Sequence, residues 1–520
     1  MPTYPRWLRV ATALLLVAAG VAAVVVPRLP EGTDVYPHVL WTWQVARCLL
    51  EGQAPVWLPD LNAGFGSPGI RLYAPLGPVL SGTLALLFGD VGRGIRAALV
   101  LAVAALAMIA HRHRLLWVAP VLLVSPTVVF EAGFRFPVSQ LLALPVLVLV
   151  LFRAASDDDP PWDGTAVLLA SLWLLHALSA ALALPLVALL SARSWRRLWH
   201  FALAACTAAC LAAWHWLPLL AETRGGTFAA ALTSGDLHPL RNLLGTPAAH
   251  VLDHNVALGW AAVAILAALL AGGVWRTPPA LLATACVFMA SLLATPLWKW
   301  LPVLWWFQLP WRWLLPGTVL ALLALSRASA GRRLAAVALL LAPLPAAPPT
   351  SLAADPRLGP RIPWREAGQL VFASFQGNPL LVDVIEHRPV WWSELGPTIL
   401  RFGDRPAILI PADAGRLGVL EERPASRTFQ LDLRRPALVA VRLLFDPHFR
   451  AELDGLPTSV ERRGAAVAVA VPPGRHTLRV FWALDAASRL GLLVSLVSAT
   501  ALAARRLRRR RYPAGAPAPP

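Results

Sequence analysis

Apolar runs long enough to cross a lipid bilayer recur along most of this chain of 520 residues. The first run, "VATALLLVAAGVAAVVV", occupies 10–26. A membrane-spanning helix needs about 20 mostly apolar residues, because only a helix pairs its own backbone polar groups away from water. With 57% hydrophobic and 14% charged residues, the chain also departs from the composition of soluble domains. The sequence therefore predicts a polytopic α-helical membrane protein, with roughly 11–13 membrane segments by the length rule.

The formal net charge of +18 comes almost entirely from arginine. A strongly basic chain is a candidate for nucleic-acid binding. Here, however, the arginines lie in short loops between apolar runs and in the tail "RRLRRRRY" at 505–512. Because positive loops stay in the cytoplasm, this pattern indicates membrane topology and no nucleic-acid partner. We expect a multi-pass protein of the bacterial inner membrane with its C-terminus in the cytoplasm.

The same charge bias divides the chain into segments on the two sides of the membrane. A transmembrane domain covers 1–345, and its first loop, 27–75, lies on the extracytoplasmic side. The remaining predicted segments are an extracytoplasmic β-rich domain at 346–488, a last transmembrane helix at 489–504 and a basic cytoplasmic tail at 505–520.

The β-rich prediction depends on the stretch "FDPHFRAELDGLPTSVERRGAAVAVAVPPGRHTLRVFW" at 445–482. An Asp-Gly pair and a Pro-Gly pair separate runs of β-branched and aromatic residues, which is typical of short strands joined by turns. The alternating apolar residues near its end favour a half-buried antiparallel sheet.

Two topologies fit the stretch 75–190. If 75–91 is only partly inserted, "HRHR" at 111–114 is cytoplasmic and "EAGFRFP" at 131–137 lies outside. In that case "LLHALS" at 174–179 is a break between two short helices, with His176 outside. If 75–90 is a full span, "HRHR" lies outside instead. The charge bias favours the first topology.

Polar residues at the start of the first loop, in "GTDVYPHVLW" at 32–41, are candidates for chemistry. Asp34 and His38 share one face if the loop begins as a helix. A carboxylate can act as a general base towards a hydroxyl, or bind Mg²⁺ or Mn²⁺ as a hard ligand. Alternatively, Asp34 caps a short interfacial helix, "VYPHVLWTWQVARCLLEG". Spacing alone favours the cap.

The first loop resembles that of the YfhO-like and pyruvoyl-tetrahydropterin-synthase-related membrane proteins, relatives of the GT-C glycosyltransferases. The matching residues are Asp34, His38, Gly52, Trp57, Pro59, Asn62, Gly64, Gly66, Pro68, Tyr73, Pro75 and Leu76. "FQLPWRWL" at 307–314 resembles a further segment of that family. The stretch 445–482 resembles the β-domain that precedes its last helix.

This resemblance implies a GT-C fold and a membrane glycosyltransferase. Such an enzyme moves a sugar from a polyprenyl-phosphate carrier to an extracytoplasmic glycan or protein acceptor. It also implies that Asp34 is the catalytic base or a ligand of a divalent cation, Mg²⁺ or Mn²⁺. Many GT-C enzymes carry a second acid beside the first, whereas Val35 follows Asp34 here. The alternative is a non-catalytic scaffold, or a carrier or transporter of envelope lipids, with the same fold.

Further candidates have both a functional and a structural interpretation. Arg312 and Arg135 are both candidates to hold the phosphate of the carrier. The structural alternative for Arg312 is a side chain that snorkels to the membrane interface, and for Arg135 it is a simple loop charge. His176 is either a site residue within an apolar run or a core residue. The residues expected to bind substrate are His38, Trp57, Asn62, Tyr73, Arg135, His176 and Arg312.

Overall fold

The structure is a computed structural model that describes residues 35–71, 73–132, 137–156, 161–223, 239–244, 252–307, 309–343 and 395–511. These ranges form a large set of apolar helices and a separate β-sheet domain near the C-terminus. The predicted combination of a mostly helical protein with a small β-rich domain before the last helix is thus confirmed.

The described helices fall into two groups along the chain. Those before residue 224 are α1 (Val35–Leu50), α2 (Leu61–Gly64), α3 (Leu76–Phe88), α4 (Val91–Arg112), α5 (Val118–Leu123), α6 (Pro126–Phe130), α7 (Val138–Ala155), α8 (Trp162–Leu175), α9 (Ala177–Ser191), α10 (Trp195–Leu211) and α11 (Ala213–Thr223). The later ones are α12 (Leu252–Ala271), α13 (Pro278–Ala290), α14 (Thr295–Trp300), α15 (Leu314–Leu325), α16 (Ala330–Leu341), α17 (Leu395–Phe402) and α18 (Ala486–Arg511).

In the described part of the chain, three helices are long and apolar enough to cross a bilayer: α4, α7 and 486–508 of α18. A fourth span results if α10 and α11, which are bent by 72° against each other, cross as one broken helix. The apolar helices indicate a membrane location, while the total of 11–13 segments stays a prediction. The last helix is longer than the predicted 489–504.

Helix α3 bears on the choice between the two topologies. It has 13 residues and ends at Phe88, and the left-handed φ of 62° at the following Gly89 closes the helix. A helix of that length spans about 20 Å, less than the roughly 30 Å of a hydrocarbon core. Helices α8, α9 and α13 are apolar and similarly short, so both topologies stay open. The predicted break in "LLHALS" is confirmed, since α8 ends at Leu175 and α9 begins at Ala177.

The bend between α10 and α11 is stabilised by the last helix. The Ser495 hydroxyl accepts a hydrogen bond from the Trp214 N–H (3.0 Å) and donates one to the Cys210 carbonyl (3.0 Å). Gly491 lets α18 come this close, because a Cβ there would lie 2.5 Å from the Ala213 carbonyl oxygen. Backbone groups that the bend interrupts need partners inside the protein, since lipid offers none. Ser495 supplies them.

The β-sheet domain consists of two antiparallel sheets that enclose an apolar core. The first sheet has the order β1 (Ala407–Ile410), β4 (Ala437–Leu444), β8 (Ala466–Val471) and β7 (Glu461–Arg463). The second has the order β2 (Gly415–Arg423), β3 (Ser426–Leu433), β9 (Gly474–Trp482), β5 (Phe449–Leu453) and β6 (Leu456–Thr458).

The turns predicted from the sequence have different roles in this domain. Asp454 and Gly455 both have positive φ, 52° and 80°, and join β5 to β6 as a tight hairpin. The Pro-Gly pair instead precedes β9, which lies in the other sheet from β8. The prediction of one half-buried sheet for the stretch was therefore wrong for β8. Five of its six residues are buried, so both faces of the strand are covered.

We expect Ser495→Ala to lower the thermal stability of the protein in detergent. It leaves the Trp214 N–H and the Cys210 carbonyl without their partner, at a cost of about 1–3 kcal/mol for a buried unsatisfied group. The melting temperature, followed by tryptophan fluorescence, measures the effect. Ser498→Ala on the same helix is the matched control, and equal melting temperatures for the two variants would contradict the proposed role.

Candidate functional site

The structure places most of the predicted site residues, but Asp34 and Arg135 lie outside the described residues. Helix α1 begins at Val35, so the stretch after Asp34 is helical as both interpretations of Asp34 require, and the cap itself stays a prediction. It ends before Gly52, which has a left-handed φ of 69° and whose N–H donates to the Leu49 carbonyl. His38 lies in its first two turns and is 3% exposed.

His38 belongs to an aromatic–histidine cluster, which we define as His38, Trp41, Tyr73 and His176. The ring centroids of His38 and Tyr73 lie 6.2 Å apart, and those of Trp41 and Tyr73 lie 5.0 Å apart. Tyr73 in turn lies 6.3 Å from His176. Three of the predicted substrate-binding residues therefore meet, although 35 to 138 positions separate them from one another in the sequence.

Tyr73 reaches this cluster because α3 begins close to α7. Gly77, in the first turn of α3, lies directly against Ser139, and any Cβ at that position would collide with the Ser139 hydroxyl. Only glycine permits this close approach. The contact brings the loop around Tyr73 to the start of α7, where Gln140 is also buried.

His176 occupies the break between α8 and α9 and caps the second helix. Its Nδ1 accepts a hydrogen bond from the Ser179 N–H (3.2 Å) and lies 2.7 Å from the Ser179 hydroxyl. Accepting at Nδ1 leaves the proton of a neutral ring on Nε2. The cap explains why a histidine stands at this point of an apolar run, and it orients the ring.

Arg312 lines the same pocket as His176. The polar lining consists of Gln140, His176, Ser179 and Arg312, and the rest of the wall is apolar. Arg312 is 7% exposed, and its Nη1 donates to the Phe307 carbonyl at 3.2 Å. As the described residues form it, the pocket is too narrow for a water molecule. A substrate would therefore have to open it.

Two polar residues of this region were not among the sequence predictions. Gln140 is 3% exposed and faces the pocket with Arg312. Glu131 is also 3% exposed, just after α6. The neighbouring Phe130 and Trp311 rings lie 5.5 Å apart, so the segments that carry Glu131 and Arg312 pack together. An acidic residue within an apolar stretch indicates a functional site, so Glu131 in "EAGFRFP" could have been selected from the sequence.

Trp57 and Asn62, in contrast, lie away from the pocket. Trp57 is fully buried in the core of the β-sheet domain, 4.9 Å from Phe449 between ring centroids. Asn62 is 2% exposed, and its Nδ2 donates to the Gly66 carbonyl at 2.9 Å. Their surroundings in this structure are those of packing and loop residues, so their substrate contacts stay a prediction.

A buried ion pair connects the first loop to the β-sheet domain. Arg71 Nη2 lies 3.1 Å from Asp446 Oδ2, and Asp446 Oδ1 lies 2.6 Å from His448 Nδ1. The Arg71 guanidinium also lies 5.4 Å from the Trp482 ring centroid. Burial raises the pKa of Asp446, but the charge of Arg71 and the His448 hydrogen bonds outweigh burial and hold it below its ordinary value.

Comparison with known proteins assigns no family. No family model and no curated protein matches the sequence. Among solved structures, the chain is similar to the cryo-EM structure of the arabinofuranosyltransferase AftD from Mycobacteria, at 18% identity and a TM-score of 0.41. The match covers 78% of this chain but only 29% of that one. At this TM-score the likeness assigns neither a fold family nor an activity.

The stability that His176 contributes as a helix cap can be measured separately from any other role of its ring. His176→Ala should lower the unfolding free energy by about 1 kcal/mol, because Ala cannot accept from the Ser179 N–H. His176→Asn should retain most of that stability, since Asn is a good N-cap residue. Thermal unfolding of the two purified variants checks this. Equal losses in both would mean that the cap is not what His176 contributes.

The Arg71–Asp446 pair should make the free energy of unfolding depend on pH in the acidic range. Because the pKa of Asp446 is lowered in the folded protein, its contribution is present above the ordinary value of 3.8 and is lost as the pH falls through the lowered value. At pH 7, Asp446→Asn removes a charged hydrogen-bond partner from the buried Arg71 guanidinium, which costs about 1–3 kcal/mol.

Urea unfolding between pH 7 and pH 3, followed by tryptophan fluorescence, measures both effects. Asp413→Asn is the matched control, because Asp413 is exposed and pairs with Arg435 at the surface. We expect no measurable change for this control. An Asp446→Asn variant as stable as the wild type at pH 7 would refute the role of the pair.

Proposed function

We propose that the protein is an integral-membrane glycosyltransferase of the GT-C type. It transfers a sugar from a polyprenyl-phosphate-linked donor to an extracytoplasmic glycan or protein. The observation that carries the proposal is the shared pocket of Arg312 and His176, beside Tyr73 and His38. Ionisable groups are costly within an apolar helical bundle, and their convergence from distant parts of the sequence is typical of a functional site.

The proposed topology follows from the charge pattern. The protein lies in the bacterial inner membrane with 11–13 segments, roughly as the length rule predicts, and with its C-terminus in the cytoplasm. The β-sheet domain and the first loop are then on the outer side, where lipid-linked sugars are consumed. The buried Arg71–Asp446 pair keeps these two parts together in that arrangement.

Arg312 is proposed to bind the phosphate of the donor. A guanidinium forms two parallel, charge-assisted hydrogen bonds with phosphate oxygens. Its site is largely apolar, which strengthens these bonds relative to water. When the bond between the sugar and the carrier phosphate breaks, negative charge grows on the departing phosphate, and Arg312 stabilises it. Gln140 and the Nε2 side of His176 lie at the same pocket to orient the donor.

Asp34 is proposed as the general base. Its carboxylate takes the proton of an acceptor hydroxyl, the oxygen forms a bond to the anomeric carbon, and polyprenyl phosphate leaves. Asp34 precedes α1, the helix that carries His38 into the cluster. Arg135 is proposed as a second phosphate ligand, beyond the described Glu131 and Phe130 segment. Trp57, Asn62, Tyr73 and His38 are proposed to shape the acceptor side.

A divalent cation, Mg²⁺ or Mn²⁺, is the cofactor that such a carboxylate can hold. Within the described residues, no group of three or more His, Cys, Asp or Glu side chains lies together. A cation at Asp34 would take further ligands from the donor phosphate and from water, as Mg²⁺ commonly does. The proton transfer by Asp34 and the phosphate contact of Arg312 do not depend on it.

The test compares cells that lack the gene with cells that carry wild-type, Asp34→Asn or Arg312→Gln protein. Loss of the base should lower transfer by about 10²–10⁴-fold. Loss of the charged phosphate contact should lower it by about 10- to 100-fold. Both variants should therefore accumulate lipid-linked sugar and lose a sugar from the envelope glycan. Mass spectrometry of extracted lipids and glycans gives the readout.

Asp413→Asn is the control for expression and folding, because it changes an exposed acid far from the pocket. Arg312→Lys separates charge from bidentate geometry and should retain part of the activity. If Asp34→Asn restores the wild-type glycan while deletion does not, the enzymatic proposal fails. That result would favour the alternative of a non-catalytic scaffold or a carrier or transporter of envelope lipids.

A further inference from the structure

A second polar cleft lies at the other end of α7 from Gln140. Its polar and aromatic lining consists of Arg153, Trp162, Thr165, Ser191, Arg197 and His200. Its cavity volume is about 30 Å³, and it is partly open to solvent. Gln140 and Arg153 are 13 positions apart on α7, which places them about 20 Å from each other. The cleft is therefore separate from the Arg312 pocket.

The ends of five helices meet around this cleft. They are the C-terminal ends of α7, α9 and α18 and the N-terminal ends of α8 and α10. The basic end of α18 joins through Arg505, whose guanidinium lies 4.8 Å from the Trp162 ring centroid, and Arg506, whose Nε lies 3.6 Å from Asp163 Oδ2. Because α7 and α18 are both candidate membrane spans, the cleft lies at the boundary between bilayer and water.

Positive charge is concentrated at this boundary. Arg153 is half-buried and lies in the field of Asp163, whose carboxylate also pairs with Arg506 at 3.6 Å. Gly164 lets Arg153 lie against α8, because a Cβ there would be 2.7 Å from its Nη1. Arg197 is fixed against the end of α7 by a hydrogen bond to the Ser156 carbonyl at 2.8 Å. The cations are held in place by the fold and are not loosely arranged on a surface.

We propose that this cleft binds the phosphate headgroup of an anionic phospholipid. Arg153 and Arg197 contact the phosphate oxygens, the hydroxyls of Thr165 and Ser191 donate further hydrogen bonds, and Trp162 packs against the glycerol region. Basic pockets between membrane helices recognise anionic headgroups in this way. The charge bias places this end of the bundle in the cytoplasmic leaflet.

Exposed tryptophans favour a lipid over a soluble phosphate. Trp195 and Trp199 lie on α10, the helix that carries the cleft residues Arg197 and His200, and both are largely exposed. Tryptophan at such positions is typical of the headgroup level of a bilayer. A soluble anion would gain nothing from them, whereas a phospholipid places its acyl chains along the apolar helices below its headgroup.

The test uses the full-length protein, delipidated in a nonionic detergent and examined by native mass spectrometry. It is titrated separately with phosphatidylglycerol, phosphatidylcholine and inorganic phosphate. The wild type should bind phosphatidylglycerol in preference to phosphatidylcholine. Arg153→Gln should weaken phosphatidylglycerol binding by about fivefold, the effect of one cation at an anionic membrane surface. Arg197→Gln is a second variant, and the loss of its phosphate contact should weaken binding to a similar extent.

Arg196→Gln is the matched control. It removes a charge from an exposed position of α10 that is not part of the cleft lining. It should leave binding unchanged. Equal binding of the two phospholipids, or undiminished phosphatidylglycerol binding by both Arg153→Gln and Arg197→Gln, would overturn the proposal. Displacement of phosphatidylglycerol by millimolar inorganic phosphate would also overturn it, because the ligand would then be a soluble anion.

Discussion

Helices that break in apolar surroundings must satisfy their interrupted backbone groups within the protein, because lipid offers no hydrogen-bond partners. The described structure depends on two such breaks. At His176 the imidazole caps the following helix, and this places an ionisable ring beside Tyr73 and Arg312. At the bend between α10 and α11, Ser495 supplies the partners and so attaches the last helix to the bundle. In both cases the residue that resolves the break also determines which segments meet.

The first loop connects the two folded parts of the molecule. Its middle is built into the β-sheet domain, since Trp57 and Phe65 belong to that core and Arg71 pairs with Asp446. Its end places Tyr73 against His176 in the helical part. A displacement of the β-sheet domain would therefore act on the candidate site through this loop. The position of the domain and the geometry of the pocket are physically linked.

Helices α7, α8 and α9 each contribute to two polar sites at their opposite ends. One end carries Gln140, His176 and Ser179 around Arg312, and the other carries Arg153 and its neighbours. The residues between the two sites are mostly buried and apolar. This arrangement limits the costly polar groups to the two ends of the bundle, where they can reach water, headgroups or substrate.

Local patterns in the sequence by themselves determined the apolar helices, the Asp-Gly hairpin, the strands near the C-terminus and the break at His176. Each depends on hydrophobic periodicity or turn chemistry within a few neighbouring residues. They could not predict that Trp57 would be buried against Phe449, that β8 and β9 would lie in different sheets, or that Gln140 would face Arg312. Only the tertiary structure decided these contacts, because they join residues far apart in the chain, and no local pattern records which distant surfaces pack together.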